Sequence, residues 1–326
     1  MNSSIGFSQV IEGMRCPTCN TDHAFFYNDT IILCESCREK FPIINSIPIL
    51  IDETKSVFKK QDFISNSSLF FDMSARGQKI SKLGSLFSTL TGETGKANFD
   101  RLRALLKRDA HHARVLVLGG SIAGQGTRDF LEDGELDIVE SDVSFGPRTK
   151  IILDAHNIPY QNDSFDCVIV QAVLEHVLDP FECVSEIHRV LRKNGLVYSE
   201  TPFMQQVHGG AYDFHRFTYS GHRRLFRHFE EIASGQIAGA GTVLWWSYQH
   251  LLLSLFGISE KTRLFVKIFS RLTGFWLKYL DALVIPNPYS IEGASCFYFI
   301  GRKSDEILTD KAIVDYYDQS IHRKGL

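Results

Sequence analysis

The chain has no apolar run of about eighteen residues, so a membrane-spanning helix is not expected. Met1 to Arg15 has no continuous apolar core, which argues against a secretory leader. Neither sign of charge dominates: 35 Lys and Arg against 38 Asp and Glu leave a formal net charge of −3. Nothing global therefore pulls the chain toward nucleic acid or an anionic surface. A basic stripe with interleaved aromatics, the footprint of an RNA-binding face, is also missing. Seven cysteines in 326 residues, four of them in two tight pairs, do not make a disulfide framework. They point to a metal site and a reducing compartment, with the cytoplasm as the default. What remains is ordinary for a globular protein: 44% hydrophobic and 22% charged residues, in a length that suits one large domain and a small one.

The cysteine pairs are Cys16-Pro17-Thr18-Cys19 and Cys34-Glu35-Ser36-Cys37, with fourteen residues between them. Each C-x2-C turn aims two thiolates at one ion, and two such turns complete a tetrahedral zinc shell. Four protein ligands leave no position for substrate, so the zinc is structural and drives folding of a segment too small to fold on its core. No thioredoxin-like pattern surrounds either pair, so a redox role is not indicated. A hairpin across Asn28-Asp29 and a strand–turn–strand from Phe41 to Leu50 complete a module over residues 1–51. It resembles the short zinc ribbon that precedes many methyltransferase domains and that also exists as a separate methyltransferase-activating subunit.

Residues 52–112 read as a linker with short lid helices, rich in serine and broken by glycine. A helix is expected from Asn98 to Arg108, with Phe99, Leu102, Leu105 and Leu106 on its buried face. Its Arg101, Arg103, Lys107 and Arg108 form either a solvated face or a basic patch.

From residue 113, apolar strands alternate with amphipathic helices, which predicts a parallel sheet covered on both faces. Ligands bind such sheets at the carboxyl ends of the strands. Arg114 to Leu118 runs into Gly119-Gly120-Ser121, with further glycines at 124 and 126. That spacing fits neither the G-x-G-x-x-G fingerprint nor a P-loop ending in G-K-[ST], yet it still lets backbone approach a ligand. The second strand ends in Asp142, placed to accept both ribose hydroxyls, with Glu140 as the alternative. The third leads to Asp154-Ala155, a carboxylate and an amide suited to an adenine edge. The fourth, Phe165 to Gln171, opens into Ala172 and the Glu175-His176 pair. Asp179-Pro180 caps a helix that Asn194-Gly195 is expected to stop, and Leu196 to Glu200 is the fifth strand.

V-L-V-L-G-G, S-D-V-S, D-A-H-N-I-P-Y-Q-N-D-S-F-D, V-L-E-H-V-L-D-P, E-I-H-R-V-L-R-K-N-G and E-T-P-F together resemble the successive motifs of class I S-adenosylmethionine-dependent methyltransferases. The likeness is greatest to the subgroup acting on small molecules, sugars and quinone-type metabolites, and it spans roughly residues 113 to 235. It implies a Rossmann-like α/β fold with a seven-stranded sheet, mostly parallel with one antiparallel strand. It also implies that Gly119, Gly120 and Ser121 approach the methionine and ribose, and that Asp142 binds the ribose. Asp154 and Ala155 would hold the adenine, with Gln171 and Ala172 lining the cofactor. The pattern departs from the family at Val117, where an acidic residue is usual.

After Pro202 come His208, Asp213 and Arg216 in one short loop, and P-F…H-G…Y-D-F-x-R-F-T recurs in the same subgroup. His208 or His176 is the candidate general base for an acceptor of high pKa, and Asp213-Arg216 is a loop-shaping ion pair or part of the site. Thr218 is expected to cap a helix whose His222, Arg223, Arg224, Arg227 and His228 make a solvated face or a patch for an acidic substrate. An apolar insert at 242–290 interrupts the domain, which otherwise runs from 113 to 302 before a tail at 303–326. Its segments at 244–256 and 264–285 fit a lid for an apolar or lipid-linked acceptor, a membrane-surface contact, or packing on the core or a partner subunit. The reading is methyl transfer to a small-molecule or glycoconjugate acceptor. An RNA methyltransferase and a non-catalytic scaffold are the alternatives.

Overall fold

The computed structural model describes residues 6–22, 25–65 and 91–322. Serines and glycines of the expected lid between 66 and 90 lie outside the described residues.

The sheet is built outward from β5 (Arg114–Leu118), all five of whose residues are buried. Such a strand needs apolar side chains on both faces. Leu116 and Leu118 join one core with Val184, Ile187 and Val190, while Val115 and Val117 join another with Phe99, Leu102 and Phe130. The helix Pro180–Val190 covers the first face and the helix Thr91–Asp109 the second.

Beside β5 lie β6 (Asp137–Asp142) and β7 (Ile151–Leu153) on one side, and β8 (Phe165–Gln171) and β9 (Leu191–Pro202) on the other, all parallel. β11 (Cys296–Lys303) pairs antiparallel with both β9 and β10 (Phe229–Ala238), which makes it the one reversed strand of these seven. β9 begins at Leu191 rather than Leu196, because the preceding helix ends at Val190. Asn194, with φ of 64°, forms a kink inside the strand instead of a helix stop.

The cysteine module continues this sheet. Its hairpins β1 (Phe25–Tyr27), β2 (Ile31–Cys34), β3 (Lys40–Ile44) and β4 (Ile47–Leu50) bring the array to eleven strands. The junction is parallel: Ile49 faces Ile152 and Leu50 faces Leu153. Ile49, Ile51, Phe58, Phe63 and Ile152 bury one another there. Asn45 and Ser46 turn β3 into β4, both at positive φ, as a two-residue hairpin demands.

Three charge-rich segments find their partners within the chain. Arg103, Lys107 and Arg108 pair with Asp100, with Asp133 and Glu135, and with Asp109, so the helix face is ion-paired. On the Thr218-capped helix Tyr219–Leu225, His222 and Arg223 are buried. Arg223 donates to the carbonyls of Phe226 and Phe229, and burial pushes the His222 imidazole down to about 3. These two residues are core braces and do not belong to a substrate patch. The tail helix Asp310–His322 docks through Tyr316, whose hydroxyl lies 2.7 Å from that of Tyr219.

Candidate active site

Two cavities open at the carboxyl ends of the parallel strands and meet at Gly119 and Ala172. The first, about 230 Å³, is lined by Ser121, Asp142, Asp154, Ala155 and His176. The second, about 530 Å³, takes in Gly120, Gln171, Glu175, Glu200 and His208. At the junction, Gly119 has φ of +73° and a Cβ there would sit 2.4 Å from Val173 Cγ2, so only glycine fits. Ala172 holds φ of 54° without being glycine, a strained conformation of the kind found at ligand sites.

In the first cavity, Asp142 is fixed by two donors. Its Oδ2 accepts from the Ser121 amide at 3.1 Å and its Oδ1 from the Ser144 hydroxyl at 2.9 Å. Glu140 instead points away to an ion pair with Arg148. Asp154 is buried and accepts from the Ser56 hydroxyl and from Nδ1 and the amide of His156. Burial alone would raise its carboxyl; the hydrogen bonds from His156 and Ser56 outweigh that and hold it below its ordinary value. Val57 and Phe58 close this cavity beside Asp154 and Ala155, and Phe58 stacks on Tyr212 with ring centroids 6.1 Å apart. Ser56, Val57 and Phe58 had no signal in the sequence, because only tertiary pairing brings them there.

The second cavity contains two carboxylates. Glu175 is 1% exposed, and its Oε2 has no hydrogen-bond partner among the described residues. Its Oε1 faces Nε2 of His208 at 3.7 Å and Nε2 of His176 at 3.8 Å. The His208 contact with Glu175, working against burial, raises that imidazole above its ordinary value. His176 is oriented by a 2.7 Å contact between Nδ1 and the Tyr212 carbonyl. Glu200 accepts from the Tyr198 hydroxyl, and burial raises its carboxyl despite that bond. It ends a predicted strand and opens the E-T-P-F motif, yet it was given no role in the site.

Asp213 and Arg216 line neither cavity. Asp213 accepts from the amides of His208 and Gly209 at 2.7 and 3.1 Å. Arg216 grips both Asp213 oxygens and donates to the carbonyls of Gln205 and Gln206. The pair frames the loop that presents His208, and Arg216 holds the Asp213 carboxyl well below the usual range.

The four cysteines form a separate centre. The two C-x2-C turns share one pattern: the Asn20 amide donates to the Cys16 carbonyl and the Arg38 amide to the Cys34 carbonyl, each at 2.9 Å. Sulfurs of Cys16 and Cys37, and of Cys19 and Cys34, are 3.7 Å apart. A tetrahedron with zinc–sulfur bonds of about 2.3 Å has edges of about 3.8 Å, whereas a disulfide needs about 2.05 Å. The donor set therefore fits a structural zinc with no open position.

Residues 118–199, from the end of β5 into β9, match the family model described as a methyltransferase domain. This stretch of the chain is a methyltransferase domain. A UPF0434 protein of Nitrosococcus oceani is 27% identical over 56 residues, covering 17% of this chain and 95% of that protein. Among solved structures, the 1,6-didemethyltoxoflavin-N1-methyltransferase of Burkholderia thailandensis is 14% identical. It covers 87% of this chain and 100% of its own, with a TM-score of 0.42. The complex of the Trm112 methyltransferase activator and a methyltransferase from Haloferax volcanii gives 15% identity over 67% of this chain and 90% of that one, with a TM-score of 0.41. Within the methyltransferase domain and its flanks, no helix among the described residues is long and apolar enough to cross a membrane.

Proposed function

We propose that the protein works in the cytoplasm, moving a methyl group from S-adenosylmethionine to a nucleophilic atom of a small metabolite, sugar or glycoconjugate. A peripheral membrane contact through the 244–285 insert belongs to the same proposal. One observation carries the reading: an adenosine-sized cavity ringed by Asp142, Asp154 and Ala155 opens directly onto a second cavity where Glu175 faces two imidazoles. The cofactor, when bound, supplies a methyl group already activated on a sulfonium, so alignment accounts for much of the rate. Asp142 accepts the ribose hydroxyls, and Asp154 with the Ala155 amide reads the adenine edge. Gly119 and Gly120 let backbone lie against the methionine, with Gln171 and Ala172 beside it. His208, its imidazole supported by Glu175, takes the acceptor's proton. His176 lines the passage, and Asp213 and Arg216 position the His208 loop.

Calorimetry on the full chain tests this. S-adenosylmethionine is expected to bind once per chain, and Asp142→Ala to weaken it about a hundredfold by removing charged hydrogen bonds to the ribose. Absence of binding at millimolar cofactor would refute the proposal.

Glu200 takes the place that the family gives to an acid at the position of Val117. Val117 and Glu200 line the same cavity, and Glu200 shares it with a second carboxylate, so a cation is favoured there. The methionine ammonium is that cation. Glu200→Gln is expected to weaken S-adenosylhomocysteine about tenfold, the worth of one charged hydrogen bond. Methylthioadenosine, which lacks the ammonium, should bind both proteins alike; equal losses for the two ligands would remove Glu200 from this role.

A further inference from the structure

The insert is turned inside out relative to an ordinary surface helix. The helix Glu260–Gly274 buries Val266, Ser270 and Gly274, a stripe of mostly small residues. A Cβ on Gly274 would come within 3.0 Å of Tyr248 and Trp245, so this stripe allows close packing on the helix Ala240–Phe256. Its opposite face carries Leu264, Phe265, Ile268, Phe269 and Leu272, all exposed. A helix whose large apolar side chains face outward has its main partner elsewhere.

The arrangement is well built. The buried Asp281 caps the first helix, accepting from the Gly241 amide at 2.7 Å and from the Thr242 hydroxyl. Fourteen of the twenty-eight large apolar side chains exposed among the described residues fall within 240–285, about a seventh of the chain. Apolar surface so concentrated marks an interaction site.

Charge selects the partner. Of the charged residues in this stretch, Lys278 and Asp281 are buried. The exposed ones are Lys261, Arg263, Lys267 and Arg271 against Glu260, a local excess of three positive charges on a chain of net −3. A second copy docked face to face would bring two positive surfaces together. An anionic bilayer offers both an apolar interior and opposite charge, and a helix that does not span lies in its plane.

We infer that this face seats on an anionic bilayer surface and that the second cavity takes its acceptor from there, as a polar nucleophile carried on a lipid anchor. The helix Ala240–Phe256, on which that face is mounted, reaches the site. Trp246 lines the second cavity, and the Ser247 hydroxyl accepts from Gln206 at 3.2 Å, in the loop that carries His208. The choice of acceptor rests on the methyltransferase proposal; the seating on lipid does not.

Flotation with vesicles tests the seating. The full chain is expected to float with phosphatidylcholine vesicles containing phosphatidylglycerol and to release as salt is raised. Phe265→Glu with Leu272→Glu should cut the bound fraction at least about tenfold, since both glutamates would have to enter the bilayer interface. Calorimetric binding of S-adenosylmethionine should survive in that variant, showing that it is folded. Failure of the wild-type chain to float would overturn the inference. So would a wild-type dimer that the variant converts to monomer in light scattering, since a second copy then covers the face. For the acceptor, membranes incubated with the protein and methyl-labelled S-adenosylmethionine should yield label in the solvent-extractable lipid fraction. Label confined to the aqueous fraction would overturn the lipid anchor. Flotation without any cofactor binding would count against the methyltransferase proposal and leave the seating intact.

Discussion

Cys34→Ala protein is expected to carry no zinc and to bind S-adenosylmethionine at least about a hundredfold more weakly than the wild type, because the ribbon that zinc folds packs behind Phe58, a wall of the cavity proposed for the cofactor. Cys34 is fully buried and closes β2 at one corner of the thiolate tetrahedron. Three remaining thiolates bind zinc far less tightly, and a module of about fifty residues has too little core to fold without it. Loss would spread along the sheet. β4 pairs with β7, and β7 runs directly into Asp154. Ile49 and Ile51 pack with Phe58, which lines the cavity beside Asp154, and Ser56 holds Asp154 by a hydrogen bond. Without the ribbon these supports go, and the Asp154 carboxylate loses a donor that offsets its burial. Metal analysis and calorimetry on the same preparation check both halves. A zinc-free chain that binds cofactor with wild-type affinity would show the ribbon to be energetically separate. Because loss of zinc can also unfold the whole chain, Phe58→Ala serves beside it: zinc should stay bound while cofactor affinity falls about tenfold, in keeping with loss of a buried ring from the cavity wall.

The elements themselves were legible in the chain. Alternating apolar strands and capped helices gave the parallel sheet, and the tight cysteine pairs gave the metal centre, because both signals are local. The docking of ribbon on sheet was not legible. Ile49 and Ile152 pair across roughly a hundred residues, and neither strand carries a mark that names the other. Ser56 met Asp154 for the same reason. Helical periodicity found the apolar insert but could not tell its inner face from its outer one, since Ser270 and Gly274 bury more completely than Leu264 and Phe265. His222 and Arg223 looked like solvent-facing charge by type, yet their position against Phe226 and Phe299 puts them inside. In the site, the choice of Asp142 over Glu140 rested on its place at the strand end; the two share one face of β6, and only Asp142, at the carboxyl end beside Ser121 and Ser144, reaches the cavity, while Glu140 is held back by Arg148. Glu200 was visible in its motif, but its meeting with Val117 in one cavity was not, because the two stand on different strands.

Glu175→Gln should lower methyl transfer about a hundred- to a thousandfold, the range typical for losing a general base or its support. The substitution keeps shape and burial while removing the charge that His208 faces at 3.7 Å. With Glu175 in place, the His208 imidazole is held above the ordinary value of about 6.5. A base must be neutral, so the rate should climb as pH rises through the folded-state pKa, on a limb lying above about 6.5. Stability moves the other way. The Glu175–His208 attraction is fully present below the unfolded pKa and is lost as pH rises through the higher folded one. In Glu175→Gln the imidazole should titrate at lower pH, shifting the limb down in pH while its height collapses. Proton NMR of the His208 ring reads the first effect without any acceptor, and transfer of labelled methyl reads the second. Cofactor affinity should change only a few-fold, since Asp142 and Glu200 are untouched. An unmoved His208 titration together with wild-type transfer would show that the buried carboxylate neither supports the base nor takes part in the chemistry. A moved titration with wild-type transfer would place the proton transfer elsewhere in the cavity, with His176 the nearest imidazole at 3.8 Å from the same oxygen.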